Sequence, residues 1–279
     1  MTSQDFGNPS AITFTATPGA SNAMPETDTT PAEERRLLWR TVEVRQVIEE
    51  TARARSLLLS VPGWPSHRPG QHLDVRLTAE DGYQAQRSYS IASAPEAPLL
   101  AITVERIDDG EVSPYLAGEV RVGDRFEVRG PIGGYFVWTA ALGGPLFLIA
   151  GGSGIAPLMA MLRHRAAAGS HAPALLVYSS RTFADIIYRE ELNRLAAASD
   201  GPRVVHTLTR QQPAGWTGAT RRIDRDMLAE IGIAASARPR IFVCGPTSLV
   251  EQTTPSLLAL GHAASLIKTE RFGPTGGLR

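Results

Sequence analysis

Residues 145–157 read PLFLIAGGSGIAP, and this stretch decides the fold of the chain. Its first six residues are apolar without interruption, which is typical of a strand buried on both faces of a parallel sheet. Three glycines follow within residues 151–154, and a helical stretch over 156–168 comes next. Backbone N–H groups at the start of a helix favour a phosphate, and glycine lets the phosphate come close. The stretch predicts a strand–loop–helix unit for a nucleotide, with a simple tight turn as the alternative.

Strands and helices alternate downstream of this unit. A helix that ends before Gly232 and another that ends before Gly261 both carry the glycine expected just past a helix end. This alternation predicts an α/β doubly wound parallel sheet over residues 142–279. The strands are expected at 174–178, 203–208 and 240–244, and the helices at 188–197, 224–231 and 248–260.

Short strands dominate the part of the chain upstream of this unit. Apolar and polar residues alternate with period two, and turn pairs such as Asp81-Gly82 and Asp109-Gly110 separate the segments. Such a pattern over residues 35–141 predicts an antiparallel barrel or sandwich. Strands are expected at 40–47, 56–61, 71–77, 86–92, 99–106 and 124–129, with one short helix at 113–116.

The composition excludes several classes of protein. The chain of 279 residues has 28 basic and 28 acidic side chains, so no nucleic-acid partner is expected. Its one cysteine, Cys244, leaves no disulfide framework and no cysteine-ligated cluster on this chain. The six histidines lack the spacing of zinc ligands, so no metal is expected. No apolar run approaches the roughly 20 residues of a membrane span, so no membrane partner is expected.

Residues 1–34 have the composition of a tail. Ser, Thr and Pro are frequent there, and no Lys or Arg occurs before Arg35. A secretory signal needs a basic start and an apolar centre, and this segment has neither. We therefore expect a disordered tail and a cytoplasmic protein.

Several residues of the second half have the chemistry of a ligand site. Ser180 and Arg181 follow a predicted strand, and the carboxyl ends of strands bind ligands in such sheets. A guanidinium there suits the 2′-phosphate of NADP, and Arg189 and Arg210 would add charge. Cys244 and its neighbours end another buried strand. For each of these the alternative is an ordinary surface arginine or a small buried cysteine.

The first half offers two weaker patterns. The strand at 87–93 carries an arginine, a tyrosine and three serines, and alternation puts Arg87 and Tyr89 on one face. Gly110 to Ser113 precede the short helix, whose N–H groups suit a pyrophosphate. An ordinary strand and an N-cap by Ser113 are the alternatives.

The order of these patterns resembles the ferredoxin–NADP(+) reductase family of flavoproteins over residues 35–279. The resemblance implies a six-stranded antiparallel β-barrel that binds flavin, usually FAD, over 35–141, followed by an NAD(P)-binding domain over 142–279. The residues that carry it are Arg87-x-Tyr89-Ser90-x-x-Ser93, Gly110-x-x-Ser113, Gly130-Pro131-x-Gly133, Gly151-Gly152-x-Gly154-x-x-Pro157 and Cys244-Gly245-Pro246.

The resemblance also implies roles for single residues. Arg87 would pair with a flavin phosphate, Tyr89 would stack on the ring and Ser90 would approach its N5. Ser90, Cys244 and Glu270 are the implied catalytic residues. The other implied flavin contacts are Ser93, Gly110, Val112, Ser113 and Phe272. The implied contacts of the nicotinamide nucleotide are Gly152, Gly154, Pro157, Ser180, Arg181, Cys244, Gly245 and Pro246.

The expected function is a flavin-dependent oxidoreductase. NADPH, with NADH as the alternative, would reduce bound FAD, and a separate ferredoxin-like or other redox protein would accept the electrons. One alternative is a stand-alone reductase of flavin or small molecules. The other, from a different class, is a non-catalytic flavin-binding regulatory subunit.

Overall fold

The computed structural model describes residues 37–272 of the chain. Six antiparallel strands form the first sheet, and one short helix, α1 (Ser113–Gly118), lies between its last two strands. We call residues 40–132 the barrel half. Its strands are β1 (Arg40–Thr51), β2 (Ala54–Ser60), β3 (His72–Thr78), β4 (Gln84–Ser90), β5 (Leu100–Glu105) and β6 (Arg125–Ile132).

The first sheet closes on itself. Its order is β4-β3-β6-β1-β2-β5, and the two outer strands meet through a bridge between Ile91 and Ile102. The Ala92 amide also donates to the Ala101 carbonyl at 2.7 Å. Closure removes the open edges of the sheet, and alternate apolar side chains such as Val42 and Leu57 fill the interior. The predicted barrel is therefore confirmed.

The second sheet is parallel and has helices on both faces. Its order is β11-β10-β7-β8-β9, and we call residues 146–272 the sheet half. The strands are β7 (Leu146–Gly151), β8 (Ala174–Thr182), β9 (Arg203–Gln211), β10 (Arg240–Pro246) and β11 (Ile267–Phe272). The helices are α2 (Ile155–Ala167), α3 (Arg189–Ala196), α4 (Arg225–Ile231) and α5 (Thr247–Ala259). This confirms the predicted doubly wound sheet.

The structure differs from the sequence prediction in two elements. Strand β11 was not expected, because its sequence IKTERF mixes charged and apolar residues. It is an edge strand that pairs only with β10 among the described strands, so its outward side chains can be charged. Ser113 does not cap α1; the cap position is Val112, and the Ser113 hydroxyl accepts a hydrogen bond from the Ile107 amide at 3.0 Å.

One apolar core joins the two halves. Ala92 and Ala101 of the barrel half and Trp138 of the connecting segment pack in the same cluster as Leu148 and Leu158 of the sheet half. The Phe136 ring lies edge-on to Phe242 of β10, with 5.2 Å between the ring centres. This shared core holds the ends of β4 and β7 in one rigid environment.

The predictions about the tail and the domain boundaries are not tested by the structure. The predicted tail at 1–34 lies outside the described residues. The domain boundaries at 35–141 and 142–279 stay predictions. Within residues 37–272 no helix has the length and apolar character required to cross a membrane.

Candidate functional site

The strand order of the parallel sheet reverses at β7. From β7 the chain continues to β8 on one side, while β10 lies on the other side. Such a reversal opens a crevice at the carboxyl ends of the strands, where α/β sheets bind ligands. Strand β7 ends at Gly151, residues Gly152–Gly154 form one 3-10 turn, and α2 begins at Ile155. The sequence PLFLIAGGSGIAP therefore folds as predicted, with its glycines at the crevice.

At this crevice the backbone of the turn after β7 lies directly against the backbone at the end of β10. A Cβ atom on Gly154 would lie 2.2 Å from the Cys244 carbonyl oxygen, so no other residue fits there. Gly152 has φ +54°, and its carbonyl accepts a hydrogen bond from the Tyr178 hydroxyl at 3.0 Å. The turn after β7 and the end of β10 are thereby locked together, which brings the two predicted nucleotide segments into one site.

Cys244 and Glu270 lie side by side at the same edge. They are partners in the parallel pairing of β10 and β11. Burial raises the pKa of the Glu270 carboxyl to about 7, so it carries a proton over part of the neutral range. Burial, and then the nearby Glu270 charge, raise the pKa of the Cys244 thiol well above its ordinary value. The pair is thus an uncharged thiol beside a carboxyl that titrates near neutrality.

Phe272 ends the described chain next to this pair. It is the pairing partner of Pro246 and packs against the core cluster that contains Cys244. The structure therefore places the predicted residues Cys244, Pro246, Glu270 and Phe272 around one end of β10.

The predicted flavin residues of the barrel half lie on and next to β4. The Arg87 guanidinium pairs with the Glu111 carboxylate, and the Tyr83 hydroxyl donates to the same carboxylate at 2.6 Å. These contacts bring β4 beside Gly110, the start of the predicted pyrophosphate segment. The Tyr83 hydrogen bond, and then Arg87, lower the pKa of the Glu111 carboxyl.

The other predicted residues on β4 and after it differ in exposure. Tyr89 is half-buried against the barrel core, and burial raises the pKa of its phenol. Ser90 is half-buried at the end of the strand. The Ser93 hydroxyl accepts the Ala101 amide at 3.0 Å, so this serine helps to close the barrel. Val112 and Ser113 are buried, Val112 within the barrel core. Their roles toward a flavin stay predictions.

The predicted 2′-phosphate residues gather at the far edge of the same sheet. Strands β8 and β9 pair with an irregularity between Ser180 and Thr182, which brings Arg181 and Arg210 to neighbouring strand ends. Both guanidinium groups are exposed, and neither has an ion-pair partner within residues 37–272. The Ser180 hydroxyl, in contrast, is buried and has no hydrogen-bond partner among the described residues.

Arg189 packs against an aromatic ring at this edge of the sheet. Its guanidinium carbon lies 4.6 Å from the centre of the Phe183 ring, and its Nε donates to Glu190 at 3.1 Å. The Trp216 ring lies edge-on to Phe183, with 6.0 Å between the ring centres. This edge of the sheet therefore carries two aromatic rings, one of which has the Arg189 guanidinium over its face.

Sequence reasoning missed Glu105 and Tyr178. The Glu105 carboxylate, at the end of β5, accepts the Ser153 amide at 3.3 Å and so ties the barrel half to the glycine turn. Tyr178 looked like an ordinary buried strand residue, and only the fold brings its hydroxyl to Gly152. Within residues 37–272 the structure has no group of three or more His, Cys, Asp and Glu side chains suited to a metal ion.

Two family models match the chain. The oxidoreductase FAD-binding domain matches residues 42–137, and the oxidoreductase NAD-binding domain matches residues 148–254. The first match falls on the barrel half with its connecting segment, and the second on the sheet half.

Curated relatives of two kinds are similar to the chain. The ferredoxin reductase component of 3-ketosteroid-9-alpha-monooxygenase from Mycobacterium tuberculosis is 32% identical over 243 residues, which are 83% of this chain and 64% of the relative. NADH-cytochrome b5 reductase 1 from Aspergillus oryzae is 32% identical over 201 residues, which are 69% of this chain and 68% of the relative. The chain thus spans about two thirds of the length of these relatives.

A solved structure shares the arrangement of both halves. The flavohem-like FAD/NAD binding domain of nitric oxide dioxygenase from Vibrio cholerae superimposes with a TM-score of 0.76 at 26% identity. The match covers 84% of this chain and 99% of that domain. With a closed barrel, a parallel sheet whose order reverses at a glycine turn, and matches to both family models, the chain belongs to the ferredoxin–NADP(+) reductase family of FAD- and NAD-binding oxidoreductases.

Proposed function

We propose that this chain is a reductase that oxidises NADPH with bound FAD and delivers the electrons to a separate redox protein. The observation that carries the proposal is the crevice at β7. The glycine turn and the Cys244–Glu270 pair meet there, and the Glu105–Ser153 contact joins the end of strand β5 of the barrel half to the glycine turn.

Cationic side chains of the two halves fit the phosphates of FAD and of NADPH. An exposed guanidinium at Arg87, beside the Gly110 segment, suits the phosphates of FAD. A Cβ on Gly110 would meet the Ser113 hydroxyl at 3.0 Å, so this segment is narrow and backbone-lined. Arg181 and Arg210, which have no ion-pair partner among the described residues, suit the extra phosphate of NADPH.

Bound FAD supplies the exchange between hydride transfer and single-electron transfer. The residues of this chain would position the two ring systems and hold a proton beside them. Gly154 and Gly245 let the turn after β7 and the end of β10 lie against each other, and Tyr178 holds the glycine turn through the Gly152 carbonyl. Glu270, with its pKa of about 7, holds a proton beside the Cys244 thiol. Orienting two reactants in this way can lower a barrier by roughly 7 to 11 kcal/mol.

The acceptor, the location and the domain borders belong to the same proposal. The relative from Mycobacterium tuberculosis is named a ferredoxin reductase component of a monooxygenase, which supports a ferredoxin-like protein as the electron acceptor. We further propose a cytoplasmic location and a border between the FAD and NAD(P) domains at residues 141 and 142.

An anaerobic titration tests the proposal. The purified chain, loaded with FAD, is titrated with NADPH and in parallel with NADH, and the flavin absorbance near 450 nm is followed. We expect stoichiometric bleaching, with NADPH effective at the lower concentration. A chain that binds flavin but stays yellow under both reductants would instead be a regulatory flavin-binding subunit.

A second measurement separates a protein acceptor from a small one. Steady-state NADPH oxidation is compared with and without an added ferredoxin, and with free riboflavin as the control acceptor. Stimulation by ferredoxin supports the proposed electron transfer. Turnover with free riboflavin alone would favour the stand-alone reductase.

A further inference from the structure

A chain of polar side chains crosses the seam between the two halves. We call it the bridging cluster; its members are Glu50, Ser56 and Thr103 of the barrel half and Arg163, Tyr188 and Glu191 of the sheet half. No predicted site residue belongs to it.

Tyr188 is the centre of the bridging cluster. Its side chain is buried, and its hydroxyl bonds the Thr103 hydroxyl across the seam. Thr103 in turn shares a 2.7 Å hydrogen bond with Ser56, whose hydroxyl donates to Glu50 at 2.6 Å. The Tyr188 amide donates to the other oxygen of Glu50 at 3.0 Å. The tyrosine therefore closes a ring of hydrogen bonds with three strands of the barrel half.

The backbone of Tyr188 is strained to make these contacts. Its φ is +59°, a left-handed conformation that a tyrosine rarely adopts. Such strain persists where the surrounding contacts over-determine the conformation. The strain places the Tyr188 amide on Glu50 and starts helix α3 at the next residue.

Arg163 forms the second arm of the bridging cluster. Its Nε and Nη2 donate to the two oxygens of Glu191 at 2.8 and 2.6 Å, and Nη1 donates to the Ala92 carbonyl at 2.7 Å. Its guanidinium carbon also lies 4.8 Å from the centre of the Tyr188 ring. All three directions of this planar group are thus fixed.

The Arg163 arm connects the segment after β4 to α2, and the Tyr188 arm holds β5, which is bridged to the same segment through Ile91 and Ile102. Ala92 follows β4 and the predicted flavin residue Ser90, while Arg163 lies on α2, the helix that begins at the glycine turn. An apolar seam could hold the halves together as firmly, because buried ion pairs add little net stability. Directional bonds differ from an apolar contact in that they fix one orientation.

We propose that Tyr188 and Arg163 are positioning residues that fix the orientation of β4 relative to the β7 turn and so set the distance for hydride transfer. The proposal rests on the proposed function for its consequence in catalysis. Its geometric part, one fixed orientation of the halves, does not depend on any bound group.

The first experiment removes the hydrogen bond between the Tyr188 and Thr103 hydroxyls by changing one partner at a time. Tyr188→Phe and Thr103→Val each delete one partner and keep nearly the same shape. In FAD-loaded protein we expect each to slow the limiting rate of flavin reduction by NADPH about fivefold or more and to weaken the long-wavelength charge-transfer band. FAD content and the Kd for NADPH should change by less than about twofold, because neither residue lies at the predicted ligand contacts.

A double variant tests whether the effect comes from the Tyr188–Thr103 hydrogen bond, because the rate losses of the two single variants should then not add. The double variant should be about as slow as each single variant, because both remove the same contact. Thr207→Val is the matched control: it deletes a buried hydroxyl that bonds the Arg221 carbonyl within the sheet half alone. Rates that multiply in the double variant, or an equal loss in the control, would contradict the proposal.

The second experiment measures the orientation without any flavin chemistry. The single native cysteine is buried, so spin labels can be attached selectively to cysteines introduced at the exposed positions Asp81 and Asn193. Pulsed dipolar spectroscopy of the full chain should give one narrow distance distribution, and Tyr188→Phe or Arg163→Lys should broaden or shift it. Distributions that stay as narrow and centred as the parent in both variants would overturn the positioning role, whatever the redox activity.

Discussion

Arg181 is the residue on which the choice between NADPH and NADH depends. It is exposed, lies at the end of β8 and has no ion-pair partner within residues 37–272. Only NADPH carries a 2′-phosphate, and a hydrogen bond to a charged group contributes about 1.5 to 3 kcal/mol. We expect Arg181→Ala to weaken NADPH binding tenfold or more, by about that energy, and to leave NADH binding nearly unchanged, as measured by fluorescence titration.

A charge-matched control makes this test specific. Arg125→Ala removes the same charge from a distant exposed site on the barrel half, where Arg125 pairs with Glu43. It should change neither Kd. Equal losses for NADPH and NADH in Arg181→Ala would contradict a 2′-phosphate contact.

Tyr89 is the residue expected to carry flavin affinity. Its ring is half-buried against the barrel core at the end of β4. Loss of a stacking aromatic pair costs about 0.5 to 1.5 kcal/mol in addition to the loss of buried area, so Tyr89→Ala should raise the FAD dissociation constant about twofold or more. Tyr89→Phe keeps the ring and should retain FAD, which a comparison of flavin-to-protein ratios after gel filtration checks. Full flavin content in Tyr89→Ala would rule out stacking.

Glu270 makes the stability of the chain depend on pH. Its pKa is about 7 in the folded protein against an ordinary value of 4.5, so between these values the unfolded chain binds fewer protons. The stability that this carboxyl contributes is complete below pH 4.5 and is lost as the pH rises through 7. Glu270→Gln should therefore raise the free energy of unfolding at pH 8 by about 3 kcal/mol and change it little at pH 4.

Urea unfolding at both pH values checks this prediction. Burial also lowers the pKa values of several histidines, among them His67 and His206. Because they are present in both proteins, the difference between variant and parent isolates Glu270. If Glu270→Gln changes the free energy of unfolding equally at pH 4 and pH 8, the Glu270 carboxyl does not have a raised pKa in the folded protein.

At the scale of elements, the turn after β7 depends on the absence of a side chain. A Cβ on Gly154 would lie 2.2 Å from the Cys244 carbonyl, so Gly154→Ala must push β10 away from the turn. Overpacking of this kind costs about 1 to 3 kcal/mol, and the displaced turn should also lose NADP(+) affinity. Gly118→Ala is the control, since a Cβ there meets nothing within 4 Å. Thermal unfolding and an NADP(+) titration together distinguish a local displacement from general destabilisation, and normal affinity in Gly154→Ala would contradict the assigned close approach.

Strand β11 shows how an element can escape prediction. Its residues have weak alternation, and its place in the sheet comes from pairing with β10, which brings Glu270 to Cys244. An edge strand is stabilised by one neighbour and tolerates charged residues, so its sequence carries little of the hydrophobic pattern.

At the scale of the whole molecule, the shared core should make unfolding cooperative. Ala92 and Ala101 of the barrel half pack in one cluster with Leu148 and Leu158 of the sheet half. We therefore expect one calorimetric transition for both halves, which moves to higher temperature when FAD is added because ligand binds only the folded state. Two separate transitions, only one of them sensitive to FAD, would show that the halves unfold independently.

The sequence by itself determined the order of the helices and of every strand except β11. Apolar runs, period-two alternation and turn glycines act over a few neighbouring residues, so the buried β7 strand, its glycine turn and the helix after it could be predicted without a structure. The same local patterns separated a barrel half from a sheet half.

Only the tertiary structure decided which side chains meet across the halves. Glu105 reaches Ser153, Arg163 reaches Ala92 and Tyr188 reaches Thr103 because two sheets pack at one particular angle and register. Those contacts join residues far apart in the chain, and each partner has an ordinary local sequence. Their pairing follows from the packing of the whole core, which no short window of sequence encodes.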